Sequence, residues 1–471
     1  MNLTLPVFRI LDEATRNRVQ QQALELLRIQ GFRVHSKAIR QRLGAAGARV
    51  DEAREVVTLP PELVAQAVAS SAREFTLKDL DERPVRFAAG TILDTVTTYT
   101  EAVKWLDYGA TTFRASRLED LRTGLILADA LPLVAQTGVV VWPGDLPVEQ
   151  QFRAALCAIF TTTRKVLVFG LQNLEHARLV LDAQSVAAPG RDLQRQPYCL
   201  FVSSPTSPFV LDLDSGETLI FGLEHGMVPV LAPCPMAGGT SQFSLIGTVL
   251  QQVAENLFML TAKHAIRPES PALWGGAGAA MDMKAGDVSY GGVERSLIML
   301  ANIDMACHFG IPCHSPSASA DSCLLDAQLG AEKTWTYLTR ALSRAATGMG
   351  IGAVGNGKAV SAEAMVIDAD ILRSIARLRQ GIEADHLDRA AKDILEAGPG
   401  GNFMMSEVTL DLLREGREYY YPVTFNRKGA DAPPALQRAH AEVERILSEW
   451  RCPVPERRCA ELKKLLGAPA E

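Results

Sequence analysis

Long apolar runs are missing from this sequence: no uncharged stretch approaches the ~20 residues that a bilayer-spanning helix needs. The opening residues reach Asp12 and Glu13 before any apolar segment develops, so neither a secretory signal nor membrane insertion is expected. Cysteine is sparse. Eight residues, at 157, 199, 234, 307, 313, 323, 452 and 459, are scattered over 471 positions with no Cys-x-x-Cys pair. That pattern argues against a disulfide framework and fits reduced thiols in a cytoplasmic protein. Charge of one sign is nowhere concentrated: Lys+Arg 48 face Asp+Glu 54, a net charge of −6, and no basic stripe forms. Nucleic acid is therefore not an expected partner. Gly-x-Ser-x-Gly and a Walker loop are also missing, which weakens the serine hydrolase and nucleotide hydrolase classes.

What is present is a large apolar fraction, 47% against 22% charged, with 36 Gly and 25 Pro that follow no period. Such a chain folds into one or more substantial cores. Residues 1–115 read as an N-terminal extension of helices and short strands. Apolar positions recur with helical spacing over 8–30 and again over 36–44, Val56-Val57-Thr58-Leu59 suits a strand, and Pro60-Pro61 opens a third helix.

From Leu131 the pattern changes. Short apolar runs alternate with helical stretches: 138–142, 165–169, 198–202, 228–231, 271–274 and 310–314. Strands that are apolar on both faces belong to a parallel sheet covered by helices. Repeats of 30–45 residues favour a (β/α)₈ TIM barrel, here assigned to 116–405, over an open doubly wound sheet. A seventh strand is expected near 349–354 and an eighth near 402–405. Residues 406–471 read as a charged helical tail packed on the barrel.

In such a barrel the residues after each strand line the catalytic face. They include Trp142, Phe169, Trp274 and His314, followed by Asp321 and Asn356. Rings at strand ends attract desolvated ammonium groups, while His314 or Asn356 suits a substrate carboxylate. Gly238-Gly239-Thr240-Ser241 precedes a long helix and is a candidate anion site, or else an ordinary helix start. Gly350-Ile351-Gly352-Ala353-Val354-Gly355 matches a dinucleotide fingerprint but follows a helix rather than a strand, so a tight turn is the better assignment. Cys307-His308 and Cys313-His314 carry zinc-ligand chemistry. They stand at a helix end and a strand end, however, and no metal site is assigned.

The ordered series Arg117-Leu118-Glu119-Asp120-Leu121, Ala128-Asp129-Ala130-Leu131-Pro132, Pro235-Met236-Ala237-Gly238-Gly239-Thr240-Ser241 and Ala280-Met281-Asp282-Met283 resembles the trimethylamine:corrinoid methyltransferase family. So do Asp326-Ala327-Gln328-Leu329-Gly330-Ala331-Glu332, Met365-Val366-Ile367-Asp368 and Gly398-Pro399-Gly400-Gly401-Asn402-Phe403, the whole series running from about 10 to 428. The resemblance implies a TIM barrel that moves a methyl group from a methylated amine to the Co(I) of a corrinoid (cobalamin) carried by a partner protein. The enzyme would hold no tightly bound cofactor of its own. The chain contains only standard residues, so it resembles the branch without pyrrolysine, some of whose members demethylate betaines. The place of the missing residue falls in 314–324. Self-association is a further implication of the family. A zinc-dependent barrel methyltransferase and a non-catalytic barrel that binds an amine or a corrinoid protein remain the alternatives.

Overall fold

The computed structural model describes residues 7–91, 96–98, 100–316, 320–382, 384–416, 419–425, 429 and 431–467. Eight parallel strands form one ring. In chain order they are β1 (Val96–Thr97), β2 (Val134–Gly138), β3 (Val166–Gly170), β4 (Cys199–Ser203), β5 (Val228–Leu231), β6 (Leu273–Trp274), β7 (His314–Pro316) and β8 (Thr347–Met349). Each strand pairs with its sequence neighbours, β8 pairs with β1, and a Trp274↔Cys313 bridge joins β6 to β7. An open doubly wound sheet has two unpaired edges. This sheet closes on itself as a TIM barrel does.

A helix follows every strand: α1 (Leu118–Ala130), α2 (Val148–Thr162), α3 (Leu174–Ala187), α4 (Leu213–Glu224), α5 (Leu245–Ile266), α6 (Val293–Phe309), α7 (Ala327–Ser343) and α8 (Ala362–Gln380). Their starts are fixed locally. Asn173, Asp212, Ser244 and Asp326 each accept a backbone N–H of the first turn through the side chain. Helix α5 is buried almost continuously from Thr248 to Lys263. It is sandwiched between the barrel and the N-terminal helices Glu13–Ile29 and Pro61–Ala69, so both of its faces are interior. At the other end of the chain, α9 (Leu387–Ala397) and α10 (Glu407–Glu415) bury no residue. Helix α11 (Ala435–Glu449) packs on α8 and α1, and α12 (Glu456–Leu466) on α2 and α3.

Four strands lie away from their expected places: β7 begins at His314, where the run 310–314 ends, and β8 ends at Met349, where the strand at 349–354 was expected to begin. Residues 402–405 form a loop, and the remaining barrel strand is β1, two residues long and upstream of 116. The apolar run 138–142 is mostly past the end of β2. Its chain leaves the ring to pair Val141 with Ala102, and Val140 packs on Gly124 of α1. The true strand, Val134-Ala135-Gln136-Thr137-Gly138, is more polar because part of it faces the barrel interior.

A hairpin of Glu74–Lys78 and Pro84–Ala88 closes one end of the barrel. Leu77, Val85 and Phe87 pack with Val166, Val168, Leu200, Val228, Val230 and Leu273 in a core separate from the strand–helix layer. The hairpin is tied to the N-terminal ends of the strands. Leu80 N–H donates to Arg164 O at 2.8 Å, and Arg191 donates to the carbonyls of Lys78 and Asp79 at 2.7 and 3.0 Å.

Candidate active site: the barrel lumen and its rim

Strand alternation divides the ring residues between lumen and helix layer. The register pairs Gln136 with Val166, Thr97 with Gln136, and His314 with Thr347. Val166 belongs to the inner core, so Gln136 and Thr97 face inward with it. Gln136 Nε2 donates to Thr347 Oγ1 at 2.9 Å across the intervening β1. The lumen thus has an apolar half on β3–β6 and a polar half on β7, β8, β1 and β2.

His314 dominates the polar half. It is 2% exposed, and neither ring nitrogen has a hydrogen-bond partner. Burial, and secondarily the charge of Arg340, push the imidazole pKa down to about 3. His314 is therefore neutral at physiological pH. It offers one N–H donor and one lone pair, and no proton to give as an acid. Gln136 Oε1 is a second acceptor without a partner. A buried polar atom left unsatisfied is costly, and such atoms in a lumen are candidates for ligand contact.

At the open, C-terminal end three loops are knitted together. Asp321 accepts from Ser289 Oγ (2.6 Å), Tyr290 N (2.7 Å) and Gly291 N (2.6 Å), and its own N–H donates to Glu332 Oε2 at 2.8 Å. Asn356 sits at φ 58° and donates its N–H to Ala320 O at 2.7 Å, while its Oδ1 lies 3.4 Å from Tyr290 N. Tyr290 is pushed up to about 12, chiefly by burial, and stays a neutral phenol. The Arg295 guanidinium lies 4.5 Å from its ring centroid.

The structure therefore brings Asp321 and Asn356 together on the rim and sets His314 in the lumen. It does not build the expected aromatic box. Phe169 pairs with Phe160 of α2, with ring centroids 5.9 Å apart. Trp274 is fully buried, donates Nε1–H to Asn302 of α6 at 2.8 Å and packs on Phe309. Both occupy outward positions of their strands, between sheet and helices. Trp142 lies beyond β2 and leans on Phe152 of α2 at 6.2 Å.

Nor does the 238–241 turn present amides for an anion. Gly238 N donates to Ser241 O, and Gly239 N and Ser241 N both donate to Met236 O. Thr240 Oγ1 accepts from Met236 N at 3.0 Å, and α5 starts only after Ser244. The glycine series 350–355 is a turn, as expected, with Gly350, Gly352 and Gly355 all at positive φ. Cys313 belongs to the strand–helix core and His314 to the lumen, while His308 Nε2 meets Gln20 Oε1 at 2.6 Å, so these side chains do not converge. Part of the segment 314–324, residues 317–319, lies outside the described residues.

The sequence reading missed Thr97, Gln136, Thr347 and Tyr290. For Gln136 there was a usable signal: a buried strand that contains Gln-Thr has a polar environment on one face.

A profile of the trimethylamine methyltransferase (MTTB) family matches residues 1–465. A glycine betaine methyltransferase of Desulfitobacterium hafniense strain Y51 is 26% identical over 464 residues, covering 96% of this chain and 94% of that protein. A trimethylamine methyltransferase of a second strain, DSM 10664 / DCB-2, is 25% identical over 453 residues, covering 95% and 91%. The crystal structure of the monomethylamine methyltransferase of Methanosarcina barkeri superposes with a TM-score of 0.57 at 12% identity, covering 94% of this chain and 88% of that one. The chain belongs to the trimethylamine methyltransferase family and is a methyltransferase.

Proposed function

We propose that this enzyme transfers a methyl group from a quaternary methylated amine, with glycine betaine as the first candidate, to Co(I) of a corrinoid carried by a separate protein. The observation that carries the proposal is the neutrality of His314. It is the one titratable side chain among the described inward-facing strand residues, and at a pKa of about 3 it cannot serve as a general acid. A tertiary amine must be protonated or otherwise activated before its nitrogen can leave. A quaternary ammonium needs no acid: the acceptor's electron pair forms the bond to the methyl carbon, the C–N pair returns to nitrogen, and a neutral tertiary amine departs.

The chain's own residues then have two tasks, to orient the donor and to exclude water. The hairpin seals the inner end of the lumen. The His314 N–H can receive the carboxylate of a betaine, and Gln136 Oε1 faces the partially positive N-methyl groups in place of aromatic rings. Asn356 is less suited, because its side chain is engaged on the rim with Tyr290 and Asp287.

The methyl acceptor is a co-substrate, and the surface around the mouth supports its delivery by a protein. Val148 (80% exposed), Leu213, Phe243 (67% exposed), Met283 and Val293 are large apolar side chains open to solvent. All stand at first turns of barrel helices or in the loops just before them, on the C-terminal face. Single exposed apolar residues are ordinary, but a series around one opening marks an interaction surface.

The test is anaerobic. Enzyme, Co(I) cobalamin and glycine betaine are mixed and the Co(I) absorbance is followed. Loss of that absorbance with quaternary donors, and none with tertiary amines at a pH where they are unprotonated, is expected. Turnover confined to tertiary amines would overturn the donor class. Silence across a donor panel, repeated with a corrinoid protein, would overturn the activity.

A further inference from the structure

Behind the lumen, between α6, α7 and β7, two arginines lie wholly inside the protein. Arg295 is in the first turn of α6 and Arg340 in the last turn of α7. Each rests against a tyrosine ring, Arg295 on Tyr290 at 4.5 Å and Arg340 on Tyr337 at 5.5 Å. Each also donates once to a backbone carbonyl: Arg295 Nη1 to Tyr290 O at 3.2 Å and Arg340 Nη1 to Ser315 O at 3.0 Å. Gly348 of β8 leaves the room for Arg340, since a Cβ there would lie 1.7 Å from Nη1.

Three of the remaining guanidinium nitrogens are unmatched. Arg295 Nε and Arg340 Nε and Nη2 are buried with no hydrogen-bond partner, and among the described residues neither arginine forms an ion pair. The carboxylate that most nearly serves Arg295, Asp321, already accepts three hydrogen bonds from Ser289, Tyr290 and Gly291. Burial holds Arg340 down to about 10, and the charge of Arg295 adds to the effect, yet both guanidinium groups remain protonated at neutral pH. Two like charges are thus enclosed with Asp321 acting on Arg295 from outside any ion pair and no described carboxylate acting on Arg340, an arrangement that desolvation makes unfavourable.

Both arginines line one small cavity, together with Ser296, Ser315, Thr336 and Thr339, with about 10 Å³ of free space. That is room for a single water-sized centre and too little for phosphate, sulfate or a carboxylate. Water would accept two N–H groups and leave both charges uncompensated. We propose that this cavity binds one monatomic anion, chloride under cellular conditions, held between Arg295 and Arg340.

The test uses the full-length enzyme. Crystals soaked in sodium bromide are expected to show an anomalous peak between the two guanidinium groups. In solution, thermal unfolding at constant ionic strength, with chloride or bromide replacing gluconate, should show a saturable rise of about 2 °C. The saturable component should vanish in Arg340→Met. A non-anomalous peak, meaning water only, would overturn the proposal. So would equal unfolding temperatures in halide and gluconate, and the bromide experiment needs no variant to fold.

Discussion

The imidazole of His314 ties stability to pH. In the unfolded chain it takes a proton near 6.5, but in the lumen only near 3, so between those values the unfolded state binds more protons. Its contribution is complete above pH 6.5 and is lost as the pH falls, by about 1.4 kcal/mol per unit. Wild-type protein should therefore lose roughly 2 kcal/mol between pH 7.5 and pH 5 that His314→Leu does not lose. Denaturant midpoints at the two pH values check this, and parallel losses in both proteins would contradict it. His314 was legible in the sequence as a residue of a barrel strand, although it opens β7 rather than ending it. The aromatic residues were misread for a definite reason. A run that is apolar on both faces does not reveal which positions point inward, and Phe169 and Trp274 fell on the outward phase. Asp321 and Asn356 both meet the backbone N–H of Tyr290, a loop residue with no periodicity to betray it.

Among the elements, the hairpin of Glu74–Lys78 and Pro84–Ala88 has the largest effect for its length. Phe87 is fully buried at its centre, stacked on Phe75 with centroids 4.9 Å apart and packed into the inner core. Phe87→Ala should cost about 3–5 kcal/mol, because the ring of strands cannot collapse into the space left behind. Calorimetry measures the loss, and a change under about 1 kcal/mol would mean the hairpin is not a structural plug. The alternation of strands and helices from Leu131 onward could be read because parallel strands between helices are almost wholly apolar. Strand β1 could not. It is two residues long in a threonine-rich stretch, and the closure of the ring, not its own composition, holds it as a strand. Residues 402–405 looked like a strand for the opposite reason, since Phe403, Met404 and Met405 are apolar yet partly or largely exposed.

For the whole molecule, the order of motifs along the chain was more informative than any one of them, and it identified the barrel and the family together. The proposed partner face was not legible, because its residues come from separate helix starts and meet only on the folded surface. Phe243 and Met283 flank the Gly238 turn there, within about 3 Å of where a Cβ on Gly238 would be. Phe243→Glu and Met283→Glu should each lower turnover with a corrinoid protein at least tenfold relative to turnover with free cobalamin. The ratio of the two rates is the measurement, since damage to the lumen would reduce both alike.

The hairpin closes the inner end of the barrel and leaves the mouth as the way in, and for the proposed reaction the order of events follows from that. The amine must already be inside before the large acceptor settles over the mouth. Its demethylated remnant then waits behind the acceptor until the acceptor departs. Catalysis in such a vessel is sequential by construction, first in and last out.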